Sequence, residues 1–328
     1  FGGGYGHSVY LVDRGAGEKM VLKLNNRGMF FTFLAILIIS ILILSTYFFS
    51  VVSDRVRVQK RVETLNSFVS AVEEDLQRKV YISGFRTVFI FESYILEHGD
   101  YISEANLDLQ EVFFNGTLYG VQQNVTAGAK FSDIIADLNS KASKVNAIVS
   151  LTNPRINVSQ IDPWNLRFVL NADLSIADIG NLVSWNKSIS IVSFVPLDGF
   201  ADPVYTINTN SLVFNNITKT PYSIFVNGGN TANLSNHLEN SYYINSSTAP
   251  SFIDRLEGNY IASENGIESL VNLDELTAQG FATENRSVID YIYFSTTNYP
   301  LCEDIQESGL PSWFKLDNNH LNIYQVTC

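Results

Sequence analysis

The sequence predicts an α+β protein: a long N-terminal helix followed by a head with an antiparallel sheet and short helices. Three observations carry that expectation. Residues 29–52 run without a charge. Beyond them, apolar residues recur at helical spacing. From about residue 155 the pattern changes to polar/apolar alternation, as at Leu166, Phe168 and Leu170, which is the mark of half-buried strands.

Met29–Val52 gives 24 residues, roughly 36 Å of helix and enough to cross a ~30 Å hydrocarbon core with tilt. The run is apolar on all sides, so it has no wet face and reads as a transmembrane helix. Its end, Tyr47-Phe48-Phe49-Ser50-Val51-Val52, lacks the small-residue pattern of a secretory cleavage site, so it is expected to stay attached. Residues 1–28 form a leader. Within it, 1–19 hold no methionine, no apolar stretch and no helical period. Gly17-Glu18-Lys19 can be encoded by a purine-rich stretch resembling a ribosome-binding site, so Met20 is expected to be the native start.

Residues 53–99 predict an amphipathic stem. Val58, Val62, Leu65, Val69, Val72, Leu76 and Val80 form a near-heptad stripe, uninterrupted until Gly84. The helix is expected to reach about Ser83, to resume through "FRTVFIFESYILEHG", and to stop at Gly99. Two uses of the stripe stand side by side. It can pack on its own head, or Val58, Val62, Leu65, Val69, Val72 and Leu76 can meet another subunit as a coiled coil. Val88, Phe89, Phe91, Tyr94, Ile95 and Leu96 are expected to be buried against the head.

The head reads as 100–220 followed by a second segment, 221–328, with a soft boundary at Thr220-Pro221. "SEANLDLQEVFF" predicts a short helix capped by Ser103 and ended at Asn115-Gly116. "FSDIIADLNSKASKVNAIVSL" predicts another, closed by Asn153-Pro154. "RINVSQI", "WNLRFVLNADLSIAD" and "SISIVSFVPL" read as strands. Later, "APSFIDRLEG" and "GIESLVNLDELTAQG" read as helical, and "SVIDYIYFS" and "HLNIYQV" as strands. Helices followed by strands, without regular βαβ alternation, favour an antiparallel sheet.

Charge narrows the function classes. The formal net charge is -12. Residues 1–28 carry +2 and 53–79 carry +1, so the remainder carries -15. Such a head repels phosphate backbones and excludes nucleic acid as a partner. Histidines His7, His98, His237 and His320 are scattered and the two cysteines lack zinc spacing, so no metal and no cofactor is expected. Cys302 and Cys328 can pin the C-terminus as a disulfide or stay free; the sequence leaves both open.

Two topological signals disagree. Lys23 and Arg27 precede the apolar run, and Arg55, Arg57, Lys60 and Arg61 follow it, which by the positive-inside rule places the head in the cytoplasm. Against this stand eight N-x-S/T sequons beyond the span, at Asn115, Asn124, Asn157, Asn186, Asn216, Asn233, Asn245 and Asn285. An Asn-, Ser- and Tyr-rich, Lys-poor head suits an exported, glycosylated surface, and the extracytoplasmic placement is the expectation.

Lys23, Arg27 and Gly28, directly before the apolar helix, resemble the type IV prepilin signal. That resemblance implies cleavage between Gly28 and Met29 with the helix retained. The chain departs from the major-pilin pattern in having Phe33 where a glutamate is common. With the long helix, the Asn-rich head and the "DPW" and "GIESLVNL" segments, residues 20–328 resemble archaeal pilin-like surface proteins. The resemblance implies a helix packed on an antiparallel sheet and anchoring outside the cytoplasm, and it says nothing about a reaction.

No G-x-S-x-G, H-E-x-x-H, P-loop, Rossmann fingerprint or C-x-x-C occurs. "FGGGYG" lacks a preceding strand. Glu73-Glu74-Asp75, Glu303-Asp304 and Asp274-Glu275 read as solvated faces, and "DNNH" (317–320) as a turn. Trp164, Trp185 and Trp313 fit a sugar-binding face or, more commonly, a core. The expectation is a non-enzymatic, bilayer-anchored, pilin-like protein with a structural, assembly or adhesion role. The alternatives are a receptor or adhesin for glycan or peptide and, behind it, an ectoenzyme.

Overall fold

The computed structural model describes residues 26–328 except Asn181, Asn298 and Glu303, with side chains from Phe30 onward. The expectations for residues 1–19 and for Met20 lie outside the described residues. The chain forms two compact units, the first ending at Lys60 and the second starting at Arg61.

Helix α1 runs Asn26–His98. In the first unit its apolar segment is exposed all round, as Phe30 (64%), Ile43 (63%) and Phe49 (77%) show. Its most apolar 18 residues have a mean hydropathy of 2.5 and none is buried. By length and composition this helix can cross a membrane. Arg57 pairs with Asp54 at 3.5 Å, an exposed i,i+3 contact. Gly28 and Met29 lie inside the α1 backbone.

In the second unit α1 is amphipathic. Leu65, Val69, Val72, Leu76 and Val80 are buried. The core they enter includes Leu166, Phe168 and Leu170 of the sheet. The stripe is therefore consumed by the chain's own head. Of the two uses of the stripe, packing on the head is the one that Leu65, Val69, Val72 and Leu76 take here; Val62 is half-buried and Val58 is exposed. Polar ties fix the register. Arg61 Nε donates to Asp178 Oδ1 at 2.6 Å, Lys187 Nζ meets Glu73 Oε1 at 2.6 Å, and Ser193 Oγ donates to the Gln77 carbonyl at 2.6 Å.

The helix does not break at Gly84. A Cβ there would lie 2.8 Å from the Phe168 ring, so the glycine is a notch that lets helix and sheet approach. Gly84→Leu is expected to destabilise the head by about 1–3 kcal/mol through overpacking. A denaturant midpoint that does not move would show the notch to be empty. Farther on, Val88, Phe91 and Ile95 are buried as expected, but Phe89 (47%) and Leu96 (48%) are exposed. At 3.6 residues per turn, positions 88, 91 and 95 share a face, and 89 and 96 fall on its flank.

Helix α2 is Ala105–Asn115, and its N-cap is Glu104 rather than Ser103. Asp108 Oδ2 instead accepts from the Glu104 N–H at 3.3 Å. Gly116 closes the helix with φ 75°, a conformation that favours glycine. A short hairpin follows, β1 (Thr117–Leu118) and β2 (Val121–Gln122). Helix α3 is Phe131–Ser143 and stops earlier than the sequence pattern predicts. Asn146 turns at φ 51° and the chain enters β3 at Ala147, so Ile148 and Val149 are strand residues. Alternating burial from Ala147 to Leu151 has the strand period of two, which a mixed apolar run hides.

Strands β3 (Ala147–Asp162), β4 (Asn165–Asp178) and β5 (Ser184–Pro196) form an antiparallel meander, with Val158 opposite Phe168 and Phe168 opposite Ser193. Asn153-Pro154 does not end an element; it is a break in register within β3, where a proline without an N–H is tolerated. Asp162-Pro163-Trp164 makes the β3–β4 turn, with Asp162 Oδ1 accepting from the Trp164 N–H at 2.8 Å.

The remaining elements are short: α4 (Pro203–Asn208), α5 (Ala232–Glu239), β6 (Tyr243–Asn245), α6 (Phe252–Leu256), β7 (Ile267–Ser269), α7 (Leu273–Ala278), α8 (Asp290–Tyr293), β8 (Leu301–Cys302), β9 (Leu316–Asp317) and α9 (Leu321–Tyr324). "SVIDYIYFS" and "HLNIYQV" thus hold single-turn helices rather than strands. In the first, the Asp290 carboxylate accepts from the Tyr291 N–H at 2.6 Å. A second hydrophobic cluster gathers Leu234, Leu270, Val288, Ile289, Leu316 and Tyr324.

Candidate functional site

Beneath the short elements lie two polar networks that the sequence did not announce. The first centres on Arg255. Its Nη1 donates to Asp202 Oδ2 at 2.5 Å and to Asp290 Oδ2 at 3.0 Å. Its Nη2 donates to Asp290 Oδ1 at 3.1 Å and to the Ile267 carbonyl. All three side chains are fully buried. Tyr243 Oη donates to Asp202 at 2.8 Å, and Ser269 Oγ to Asp290 at 2.8 Å. Burial raises the Asp202 pKa, with Arg255 pulling it down and Asp290 pushing it up. Asp202 is the N-cap of α4, its side chain accepting from the Val204 N–H, and its carboxylate also anchors Arg255.

The second network surrounds His320. Nδ1 is 2.8 Å from Asp317 Oδ2, and Nε2 is 3.4 Å from Glu268 Oε2. Ser287, His320 and an acid therefore meet, but Ser287 Oγ donates to Asp317 at 2.9 Å rather than to the imidazole. A serine nucleophile needs its proton taken by histidine, so this is not a triad arrangement. Being sealed from solvent, neither network admits a substrate. Among the described residues no group of three or more His, Cys, Asp or Glu is placed to hold a metal.

Accessible hollows lie elsewhere. One, of about 270 Å³, is lined by Phe89, Glu92, Leu96, Pro203, Thr206 and Phe214. It is an apolar notch beside α1 with a single carboxyl group in its wall. Glu92 Oε1 is buried without a hydrogen-bond partner. Burial pushes the Glu92 pKa up to about 8, against a lowering contribution from the Ala201 N–H and a raising one from Asp202. At neutral pH the group is mostly a neutral acid. Another, an open polar cleft of about 720 Å³, has Asn208, Phe281, Asn285, Arg286 and Tyr293 in its walls. None of the three tryptophans lines it. Trp164 lies under Lys219 at 5.2 Å, Trp185 packs on the helix–sheet core, and Trp313 donates to Asp274 Oδ1 at 2.9 Å. The tryptophans are dispersed, and a shared sugar-binding face does not form from them.

No family model, curated protein or solved structure matches this chain.

Of the residues singled out by sequence, Cys302 and Cys328 are joined in a disulfide with Cα atoms 5.5 Å apart. Its span of 26 residues corresponds to roughly 3 kcal/mol of chain-entropy stabilisation. All eight sequon asparagines are exposed.

The buried titrating groups set a pH profile for the head. Burial opposes the charged His320 imidazolium, but Asp317 and Glu268 outweigh it and push its pKa up to about 9 from 6.5. Its contribution to stability is complete below 6.5 and is lost as pH rises through 9. Glu92, raised from 4.5 to about 8, acts in the same direction: its neutral form favours folding, and this is lost as pH rises through 8. Burial lowers His237 from 6.5 to about 3, so its contribution is present above 6.5 and lost as pH falls through 3. Denaturant midpoints are expected to decline from about pH 6 to about pH 9, and Glu92→Gln is expected to flatten the part of that decline below pH 8. Equal midpoints across the range would contradict these assignments.

Proposed function

We propose that this chain is a membrane-anchored, pilin-like, non-enzymatic surface protein whose apolar helix crosses the bilayer once and whose head lies outside the cytoplasm in a structural, assembly or adhesion role. The observation that carries the reading is the apolar segment of α1, exposed all round. An apolar surface of that extent is far larger than monomeric soluble proteins leave in water, and a hydrocarbon environment satisfies it. The Cys302–Cys328 disulfide favours an oxidising compartment for the head. Part of the opposing positive charge has a structural use, since Arg57 pairs with Asp54 and Arg61 with Asp178. Membranes washed at alkaline pH should retain the native protein until detergent is added. Release by the wash alone would refute the anchor.

A receptor or adhesin reading is favoured by one feature, the open polar cleft with Phe281 and Tyr293 in its wall. Glycan- or peptide-array binding that is lost on substitution of the exposed cleft residue Glu284→Ala, in a head of unchanged melting temperature, would shift the reading that way.

A further inference from the structure

The fold treats the eight sequon asparagines differently from many of the others. Asn115, Asn124, Asn157, Asn186, Asn216, Asn233, Asn245 and Asn285 all stand exposed, whether at a helix end, on strands β3, β5 and β6, or in loops. Asn233 Nδ2 donates to the Ile224 carbonyl at 2.8 Å. Among the described residues the side-chain amides of the other seven are free of hydrogen bonds. Several asparagines outside sequons carry structural duties instead. Asn139 exchanges two hydrogen bonds with the Val149 backbone. Asn215 is buried and donates to Ser241 O and Tyr243 Oη. Asn106 accepts from the Val158 N–H, and Asn272 caps α7. An amide that must carry a sugar has to be both outside and unengaged in the folded chain, because a glycan cannot be buried.

We infer that the head is N-glycosylated at Asn115, Asn124, Asn157, Asn186, Asn216, Asn245 and Asn285, the seven sequons whose amides are exposed and unengaged. The inference rests on the outward placement of the head proposed above. The donor is a lipid-phosphate-linked oligosaccharide, and the catalyst is a membrane transferase on the outer side. The asparagine Nδ2 forms a bond to the anomeric carbon as that carbon's bond to the phosphate oxygen breaks. The lipid phosphate leaves with the electron pair, the amide loses one proton to the transferase, and no atom changes oxidation state. No sequon falls between residues 61 and 114, so the α1 portion of the second unit stays bare of sugar.

Peptide mass spectrometry of the native protein, taken from membranes of the producing cells, tests this. Four or more of the seven sites carrying sugar is the expected result, with peptides holding the exposed but non-sequon Asn318, Asn319 and Asn322 unmodified. Asn157→Gln and Asn186→Gln should each lower the intact mass by one glycan while the melting temperature stays within error. Three or fewer modified sites, or sugar on the non-sequon asparagines, would overturn the inference. External protease on intact cells separates the two causes of failure. A head that is cut while its sequons are bare overturns glycosylation alone, whereas a head shielded until lysis overturns the placement and glycosylation with it.

Discussion

Arg255→Met is expected to lower the stability of the head by about 3–5 kcal/mol, or to prevent folding outright. The guanidinium is fully buried between Asp202 and Asp290. Removing it leaves two carboxylates enclosed without a counter-charge, and one of them must take a proton or draw in water. A second variant keeps the prediction interpretable. Arg255→Met combined with Asp202→Asn and Asp290→Asn removes the ions together, and it should recover most of the loss. Denaturant unfolding of the detergent-solubilised chain reads both. A single-substitution cost below about 1 kcal/mol would show that the cluster is solvated rather than sealed.

Leu76→Ala should cost about 3–4 kcal/mol. Leu76 is fully buried in the core shared by α1 and the sheet, and alanine leaves a cavity there that a stiff helix–sheet contact cannot close. The result discriminates between the two uses of the stripe. As head core, the substitution lowers the denaturant midpoint in a manner independent of protein concentration. As a seam between copies, it would leave the midpoint of the separated chain in place and abolish association instead.

Much of the architecture was legible because its signals were local. An uncharged run from Met29 to Val52 announces an apolar helix, and Leu166, Phe168 and Leu170 announce a strand with one buried face. What failed locally was decided at a distance. Gly84 reads as a break, yet it is helical because Phe168 occupies the space of its missing side chain. Leu65 to Leu76 fit a coiled-coil stripe and a head core equally well, and only the position of the sheet chooses between them. Residues 290–293 and 321–324 have mixed aromatic and β-branched patterns that suit a strand or a turn of helix, and each forms a single helical turn.

The polar sites were least legible. Asp202 and Asp290 stand 53 and 35 residues from Arg255, so no spacing motif joins them. Glu92 sits in an amphipathic helix and looks solvated; the 201–214 segment folding over it makes it a buried acid. The cysteines and sequons were found by residue type alone, since disulfide and glycan chemistry is written in a few residues rather than in a fold.

The most direct test of the central claim is external protease added to intact cells that make the native protein, followed by detection of the head and of the apolar segment. The expected result is that the head is digested while a fragment containing residues 30–52 stays with the membrane. A head left intact until the cells are lysed, or a full-length chain recovered in a detergent-free soluble fraction, would contradict it.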